Sequence, residues 1–350
     1  MNAEELAEAV HRGEVIRELD LSGAKLAGAL LAGGIFEAVS FRGAHLTGAS
    51  FKESILIGCD FEDAHLERAD LRMVQASGSS FRTARLAGAR LASAQANKVD
   101  FTAADLEGAD LSLLQSVGCD LSHASLRGAN LERAALISAT ARGVDLSDTP
   151  LVGTVLYQWD LTTARLSGTT FDTVLLIESN LAGLDLSGSR LRLCNLTGAD
   201  LTGAVLSRAD LTQCNFQNAR MAGAELDDVR APNALFIGAI LTDASLTNAA
   251  LTQALFVDAQ LERADLRGCD LKQTVFHRAR CMGARFDGAD LGEADMSHAD
   301  LSSASFERAG LFRTRLHCVE DRGARFGANR AMALGTEEVL ARAEQFEPEH

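Results

Sequence analysis

From Leu21 to Phe326 nearly every fifth residue is Leu or Phe, and no insertion or deletion breaks the count. Two positions before each stands a small residue, usually Ala, as in "ADLEGADLSLL" around Asp105 and "GADLTGAVLSRADLTQCNF" around Asp200. A short period kept over roughly three hundred residues is the mark of a solenoid, in which each repeat buries its apolar face only by stacking on its neighbours. Within each five, the small residue and the Leu or Phe lie two apart, which on extended chain points both inward and the residue between them outward. The next two positions, rich in Ser, Thr, Arg, Gly and Glu, must turn a corner.

The phenylalanines count the corners. Fourteen of the 16 stand at central positions. Phe41, Phe61, Phe81 and Phe101 form one series, Phe216, Phe236, Phe256 and Phe276 another, and Phe286, Phe306 and Phe326 a third. Each series steps by twenty, as expected when like residues stack in columns. Twenty residues per coil means four sides, and about fifteen coils at roughly 4.8 Å each predict a stack some 70 Å long.

The unit small–Asp/Asn–Leu/Phe–Ser/Thr/Arg–Gly, as in "ADLTG" at 199–203 and "ANLER" at 129–133, resembles the pentapeptide-repeat proteins. The resemblance covers about nine-tenths of the chain. It implies an all-β solenoid, a right-handed quadrilateral β-helix with β-bridge ladders and tight turns. It says little about activity, because members of that family differ widely in role.

The two ends leave the pattern. Residues 1–20 read as a capping helix and lead-in: Asn2 with Glu5 makes a capping box, Leu6 and Val10 share a face, and Gly13 is a stop. Residues 21–330 are the repeats. In 331–350, Thr336 is an N-cap, and Val339, Leu340, Ala343 and Phe346 make the apolar stripe of a short helix ended by Pro348. That helix is expected to cover the end of the stack, with dimerisation as its other use. Each end carries −4 of the total charge of −15, leaving the repeats −7. Met1 to Val15 lacks the basic and apolar regions of a signal peptide, and no apolar run approaches membrane-spanning length. A cytoplasmic, bacterial protein without a membrane partner is expected.

The 7 Cys lack metal-like spacing. Cys59, Cys119, Cys194, Cys214 and Cys269 take the small inward position and read as small core hydrophobes and free thiols, although Cys194 and Cys214 could stack on adjacent coils. Chemistry is otherwise sparse. No phosphate loop is present, and His45 and His65 form an outer pair without a third ligand. Ser297, His298 and Asp300 fall on a convex corner and read as surface residues. Asn195–Thr197 matches a glycosylation sequon without a secretion signal. Neither catalysis nor a cofactor nor a metal is expected.

Three irregularities remain. Ala76, Ala96 and Ser116 replace large central residues in successive coils, each after a Gln (Gln75, Gln95, Gln115), so a Gln ladder is expected outside; Leu114 beside Ser116 suggests local repacking rather than a groove. In coil 141–160, with Ala141 central and Pro150 interrupting, Trp159 takes a small inward position, and its indole is expected to fill the space above Ala141. The third is one-sidedness. On one outer side the residues flanking the centres are largely uncharged and aliphatic, with Gln75, Gln95, Gln115, Asn195 and Asn215 between: Ile35, Ile55, Ile57, Val117, Ile137, Val155, Tyr157, Leu175, Ile177, Leu235, Ile237, Leu255 and Val257. The equivalent positions elsewhere are dominated by Asp, Arg, Ser, Thr and Glu. So extended an uncharged side points to a protein partner or a second copy, although β-branched ladders also stabilise stacked strands.

An acidic column of Asp20, Asp60, Asp100, Asp120, Asp160 and Asp200 bears on a second function. Pentapeptide-repeat proteins that protect DNA gyrase resemble DNA in shape and charge, which makes gyrase the alternative partner. Against this, Arg220 and Arg280 interrupt the column, and Asp or Asn before the centre is the family consensus. The opening "EELAEAVHRGE" with "LDLSGAKL", and "TEEVLARAEQF" near the other end, are similar to pentapeptide proteins associated with bacterial type VI secretion. That similarity implies an adaptor role; no direct nucleic-acid binding is expected.

Overall fold

The computed structural model describes residues 2–344, and its corners explain the period. Every fifth residue from Glu18 to Gly323, Thr163 excepted, holds a left-handed backbone with φ between 49° and 72°. At most corners the central carbonyl accepts the N–H three residues on, as Leu21 does from Ala24 at 3.0 Å and Leu201 from Ala204 at 3.0 Å. A left-handed third residue closing that bond is the type II arrangement. No Val or Ile stands at any of these positions, and Thr83 and Thr173 are the β-branched residues among them, in keeping with the poor fit of β-branched side chains to the left-handed region.

Between corners, the residue before each centre bridges in parallel to the residue twenty on. Asp20↔Ser40↔Asp60, Lys25↔His45↔His65 and Leu30↔Ser50↔Asp70 make three ladders, and Ile35↔Ile55↔Gln75 the fourth. The fold is thus a β-solenoid of about 16 turns with two short helices. Backbone groups are satisfied between coils: Leu21 N–H donates to the Ser40 carbonyl (2.7 Å) and Ser40 N–H to the Leu19 carbonyl (2.9 Å). Central and small residues fill the inside, most of them fully buried. Each buried Leu or Phe contributes about 1.5–3 kcal/mol. The chain divides into two compact units, Met1–Ser179 and Asn180–His350.

In the first unit, α1 (Ala3–His11) closes its start with a capping box. Glu5 N–H donates to Asn2 Oδ1 and Asn2 N–H to Glu5 Oε2, both at 2.9 Å. Leu6, Ala9 and Val10 are buried. The fourth ladder is here a true parallel sheet of three-residue rungs. It runs β1 (Val15–Arg17), β2 (Ile35–Glu37), β3 (Ile55–Ile57), β4 (Gln75–Ser77), β5 (Gln95–Asn97), β6 (Gln115–Val117) and β7 (Ala135–Ile137). After β8 (Pro150–Val152), the sheet resumes with β9 (Val155–Tyr157), while β8 pairs with β10 (Thr170–Asp172).

The corner after each sheet rung is wider and lacks the usual turn bond. Side chains one coil on replace it. Cys59 N–H donates to Ser79 Oγ (3.1 Å) and Trp159 N–H to Ser179 Oγ (3.1 Å). Ser179 Oγ donates to the Leu156 carbonyl (2.7 Å), Cys59 Sγ to Phe36 (3.4 Å) and Cys119 Sγ to Ala96 (3.5 Å). Cys59 and Cys119 are therefore corner donors as well as the small core residues the sequence suggested. Trp159 belongs to the same series. It lies inward, 1% exposed, and its indole Nε1–H donates to the Leu136 carbonyl at 2.9 Å.

In the second unit the four ladders are single-residue bridges, joined near the end by β11 (Ser305–Phe306) paired with β12 (Arg325–Phe326). Phe216, Phe236, Phe256 and Phe276 stack face to face at 4.7–5.0 Å inside, and Phe286, Phe306 and Phe326 at 4.8 Å. Beyond Phe326 a 3-10 helix (Ala328–Met332) sets the Arg330 guanidinium 5.0 Å over the Phe326 ring, and Leu334 bridges to Arg315. Then comes α2 (Glu338–Glu344). Here the sequence expectation needs correction: Val339, Leu340 and Ala343 are exposed, so this stripe does not pack on the end. Arg330 and Leu334 occupy that place. Phe346 and Pro348 lie outside the described residues.

Candidate functional site

The aliphatic side is built from residues flanking buried centres. In the first unit, Ile35 and Ile55 are register partners across β2 and β3, with Ile57 beside them. Across β7 and β9, Ile137 partners Tyr157 and Ala135 partners Val155, which bridges on to Leu175, two residues before Ile177. Between these groups stands the Gln75↔Gln95↔Gln115 ladder, exposed as expected. Most of the aliphatic residues are half-buried by their own neighbours along the ladder; Ile57 and Val117 reach 47% and 50% exposure. Tyr157 Oη donates to Glu178 Oε2 at 3.1 Å, which raises the phenol's pKa. In the second unit, Leu235↔Leu255↔Val275 form a ladder beside Ile237 and Val257, all half-buried over the Phe236–Phe256–Phe276 stack. The side is thus partly ladder and partly free surface.

The small centres do not repack fully. Outside Ser116 an open hollow of about 430 Å³ is lined by Gln95, Leu113, Gln115, Val117, Arg133 and Ile137 among others. Two interior voids of about 10 Å³ each lie behind Ala76, Ala96 and Ser116, although Leu114 is buried beside both. Ser116 Oγ is buried without a hydrogen-bond partner of good geometry; the Cys119 thiol nearby is a weak one. The sequence pattern did not reveal other exposed apolar side chains. Met73 and Leu113 stand at left-handed corners flanking the Gln ladder, and Phe312, Met332 and Leu334 are exposed in the second unit. Phe312 was legible in principle, as one of two Phe outside the central register.

The acidic column has a structural occupation. The Oδ1 of Asp20, Asp60, Asp100, Asp120, Asp160 and Asp200 each accepts the N–H two residues on, at 2.8–3.1 Å. Asn195 and Asn215 do the same for Thr197 and Gln217. The residue before the centre is therefore an Asx cap for the corner. The hydrogen bonds from Ser22 hold Asp20 below the usual carboxylate range. For Asp200 burial works against ionisation, but bonds from Thr202 and Arg220 outweigh it and the pKa falls. Arg220 also pairs with Asp200 at 2.9 Å.

The remaining expected residues separate. Ser297 is buried, not on the surface, because its hydroxyl turns back onto Asp295; His298 faces Glu344, and Asp300 caps Ser302. They form no triad. His45 and His65 stack at 4.8 Å. All seven thiols are free, and burial pushes Cys269 up to about 12. Among the described residues no helix is long and apolar enough to cross a membrane.

Models for pentapeptide repeats (8 copies) match residues 20–56, 44–82, 84–112, 117–156, 160–192 and 279–317, and one for a pentapeptide repeat region matches 209–286. No curated protein matches the chain. Among solved structures, HetL, a pentapeptide repeat protein involved in heterocyst differentiation regulation from the cyanobacterium Nostoc sp. strain PCC 7120, is 27% identical. The match covers 75% of this chain and 96% of HetL, with a TM-score of 0.39. Full-length QnrB1, a plasmid-mediated fluoroquinolone resistance protein, is 16% identical over 61% of this chain and 97% of its own, with a TM-score of 0.32. A pentapeptide repeat protein of the Arabidopsis thaliana thylakoid lumen is 20% identical over 36% and 66%, with a TM-score of 0.15. Likenesses of this degree carry no functional argument.

Proposed function

Since the chain belongs to the pentapeptide-repeat family, we propose that it is a non-enzymatic interaction scaffold whose aliphatic side docks a protein, either a second copy of itself or another chain. One observation carries this reading. In the first unit, seven successive three-residue rungs, from 55–57 to 175–177, contain no Asp, Glu, Lys or Arg, whereas the three-residue rungs on the two flanking sides, from 50–52 to 170–172, all carry a charge except 150–152. Stacked aliphatic side chains stabilise the sheet, but Ile57 and Val117 stay about half exposed, and uncharged surface of this extent is typically a contact surface. On this reading the contact set of the first unit comprises Ile35, Ile55, Ile57, Val117, Ile137, Val155, Tyr157, Leu175 and Ile177, and the second unit carries its own patch of Leu235, Ile237, Leu255 and Val257.

Lys at Ile57 and Val117 tests it, because both side chains already reach solvent and the fold should tolerate the charge. Association, read as mass by light scattering and as partner recovery in a pull-down, is expected to weaken by more than about tenfold, or ~1.4 kcal/mol. Unchanged mass and unchanged recovery would sink the proposal.

The similarity of the chain's ends to type VI secretion proteins supports an adaptor role there, in the cytoplasm; co-purification with such a system's components is the check. A second reading, modulation of gyrase by DNA mimicry, has the acidic column as its ground. It has less support, because those carboxylates are engaged as corner caps and in Arg pairs. A supercoiling assay with purified gyrase separates the two.

A further inference from the structure

Near the end of the second unit, three donor atoms converge, and a thiol lies against one of them. Glu344 Oε2 on α2 lies 3.1 Å from His317 Nε2 and 3.3 Å from His298 Nε2. Cys318 Sγ lies 3.4 Å from the same His317 nitrogen. The two imidazole nitrogens and the carboxylate oxygen all fall within 4.8 Å of one another. His298 stands on the coil before His317, with the two rings edge to face at 5.4 Å, and its amide donates to the His317 carbonyl at 2.9 Å. The solenoid backbone therefore fixes the spacing of the histidines. His317 is 2% exposed, while Glu344 reaches in from solvent.

We propose that His298, His317, Cys318 and Glu344 bind one zinc ion, which clasps α2 to the last coils. Tetrahedral zinc with Zn–N and Zn–O bonds of about 2.0–2.1 Å and Zn–S of about 2.3 Å needs ligand atoms about 3.3–3.6 Å apart. Glu344 Oε2 meets that requirement closely with both imidazole nitrogens, at 3.1 and 3.3 Å, and so does Cys318 Sγ with His317 Nε2 at 3.4 Å; the thiol must turn toward His298 and Glu344, with which it is not yet grouped, to close the tetrahedron. Two imidazoles, a thiolate and a carboxylate suit zinc among divalent ions, whereas calcium and magnesium take oxygen ligands. Structural sites use four protein ligands, a number that Cys318 completes by turning toward the three already gathered.

Proton positions set the course of binding. Glu337 N–H donates to His317 Nδ1 at 3.1 Å, so without metal the neutral ring carries its proton on Nε2 and donates it to Glu344. Zinc at Nε2 moves that proton to Nδ1, where it displaces the Glu337 amide. The Cys318 thiol ionises and releases one proton to solvent. Loading thus exchanges one hydrogen bond at the start of α2 for a metal bond at its end, and it should order Val339 and Leu340 along with the helix.

The test uses the untagged full-length chain and zinc alone. Expected are one zinc per chain by titration calorimetry with proton release, a melting temperature raised by zinc and restored by chelator, and a tetrahedral cobalt spectrum. Cys318→Ser should remove the sulfur-to-cobalt charge-transfer band. His298→Ala and Glu344→Gln, both at half-exposed side chains, should weaken binding by more than about 100-fold while circular dichroism stays unchanged. His317 is left in place, because replacing so buried a ring would mix loss of a ligand with loss of packing. Absence of stoichiometric zinc in the wild-type chain, or zinc binding untouched by His298→Ala, overturns the proposal.

Discussion

The left-handed corners make a backbone prediction that can be isolated from packing. Gly128 has φ +61°, and a Cβ built there meets nothing within 4 Å. Gly128→Ala and Gly128→Val therefore test conformation alone. A Cβ in the left-handed region crowds the following carbonyl at a cost of about 1–2 kcal/mol, while losing glycine's freedom in the unfolded chain returns about 0.4–1 kcal/mol. Ala should be destabilising by roughly 0.5–1 kcal/mol, and the second branch of Val should bring the loss to about 2 kcal/mol. At about 2–4 °C per kcal/mol for a unit of this size, the melting temperature falls by a few degrees for Ala and about 4–8 °C for Val. Thermal unfolding followed by circular dichroism reads both. If Gly128→Val melts within about 1 °C of the parent, left-handed strain is not what keeps Val and Ile out of these positions.

Trp159 emission should be strongly blue-shifted, and Trp159→Phe should cost about 1–3 kcal/mol in urea unfolding from the orphaned Leu136 carbonyl alone, before any cavity is counted. Red-shifted emission would contradict its burial. Ser116→Ala removes a buried hydroxyl without a good partner and should stabilise by about 1 kcal/mol; destabilisation in the same experiment would mean that the Cys119 thiol is a real partner. Asp20, Asp145, Asp185, Asp243 and Asp258 all have lowered pKa values, through bonds from Ser22, Ser147, Ser187, Arg263 and Arg278. Their contribution is full above the unfolded carboxylate value near ~4 and is lost as pH falls through the folded values. The melting temperature should therefore hold from neutral pH to about 5 and drop below about 4, with Asp145→Asn keeping the corner cap while blunting the acid loss.

The interior of the fold was legible because its rule is local. A Leu or Phe two residues after an Ala can point inward only if the chain is extended there, and the twenty-residue phenylalanine steps then leave one coil size. The corners were legible only as polar pairs, because left-handed geometry tolerates Arg, Gln, Asp and Gly alike and is betrayed mainly by the absence of Val and Ile. The wider corner after the sheet rungs could not be read from the sequence. Cys59, Ser79, Cys119 and Trp159 look like tolerated substitutes for Ala, and their hydrogen bonds reach residues 23 positions back. The same holds for His317 and Glu344, which meet through the path of the last coil rather than through any period.

What distinguishes the outer sides is how much of their chemistry the fold already employs. An Asp before a centre looks like available charge, yet its oxygen is occupied by the amide two residues on, and many of these carboxylates also face an Arg from the same or an adjacent coil. The carboxylate column is thereby committed to corner closure, and removing it would loosen coils before it changed any partner's affinity. The aliphatic rungs differ. Their inward centres are buried and their backbone groups paired, so the outward Ile57 and Val117 have no duty that burial in the ladder completes. A polar replacement there should leave coil stacking nearly untouched while changing what the surface can hold. Function on this fold is therefore to be sought where a side chain can be altered without cost to the corner beneath it.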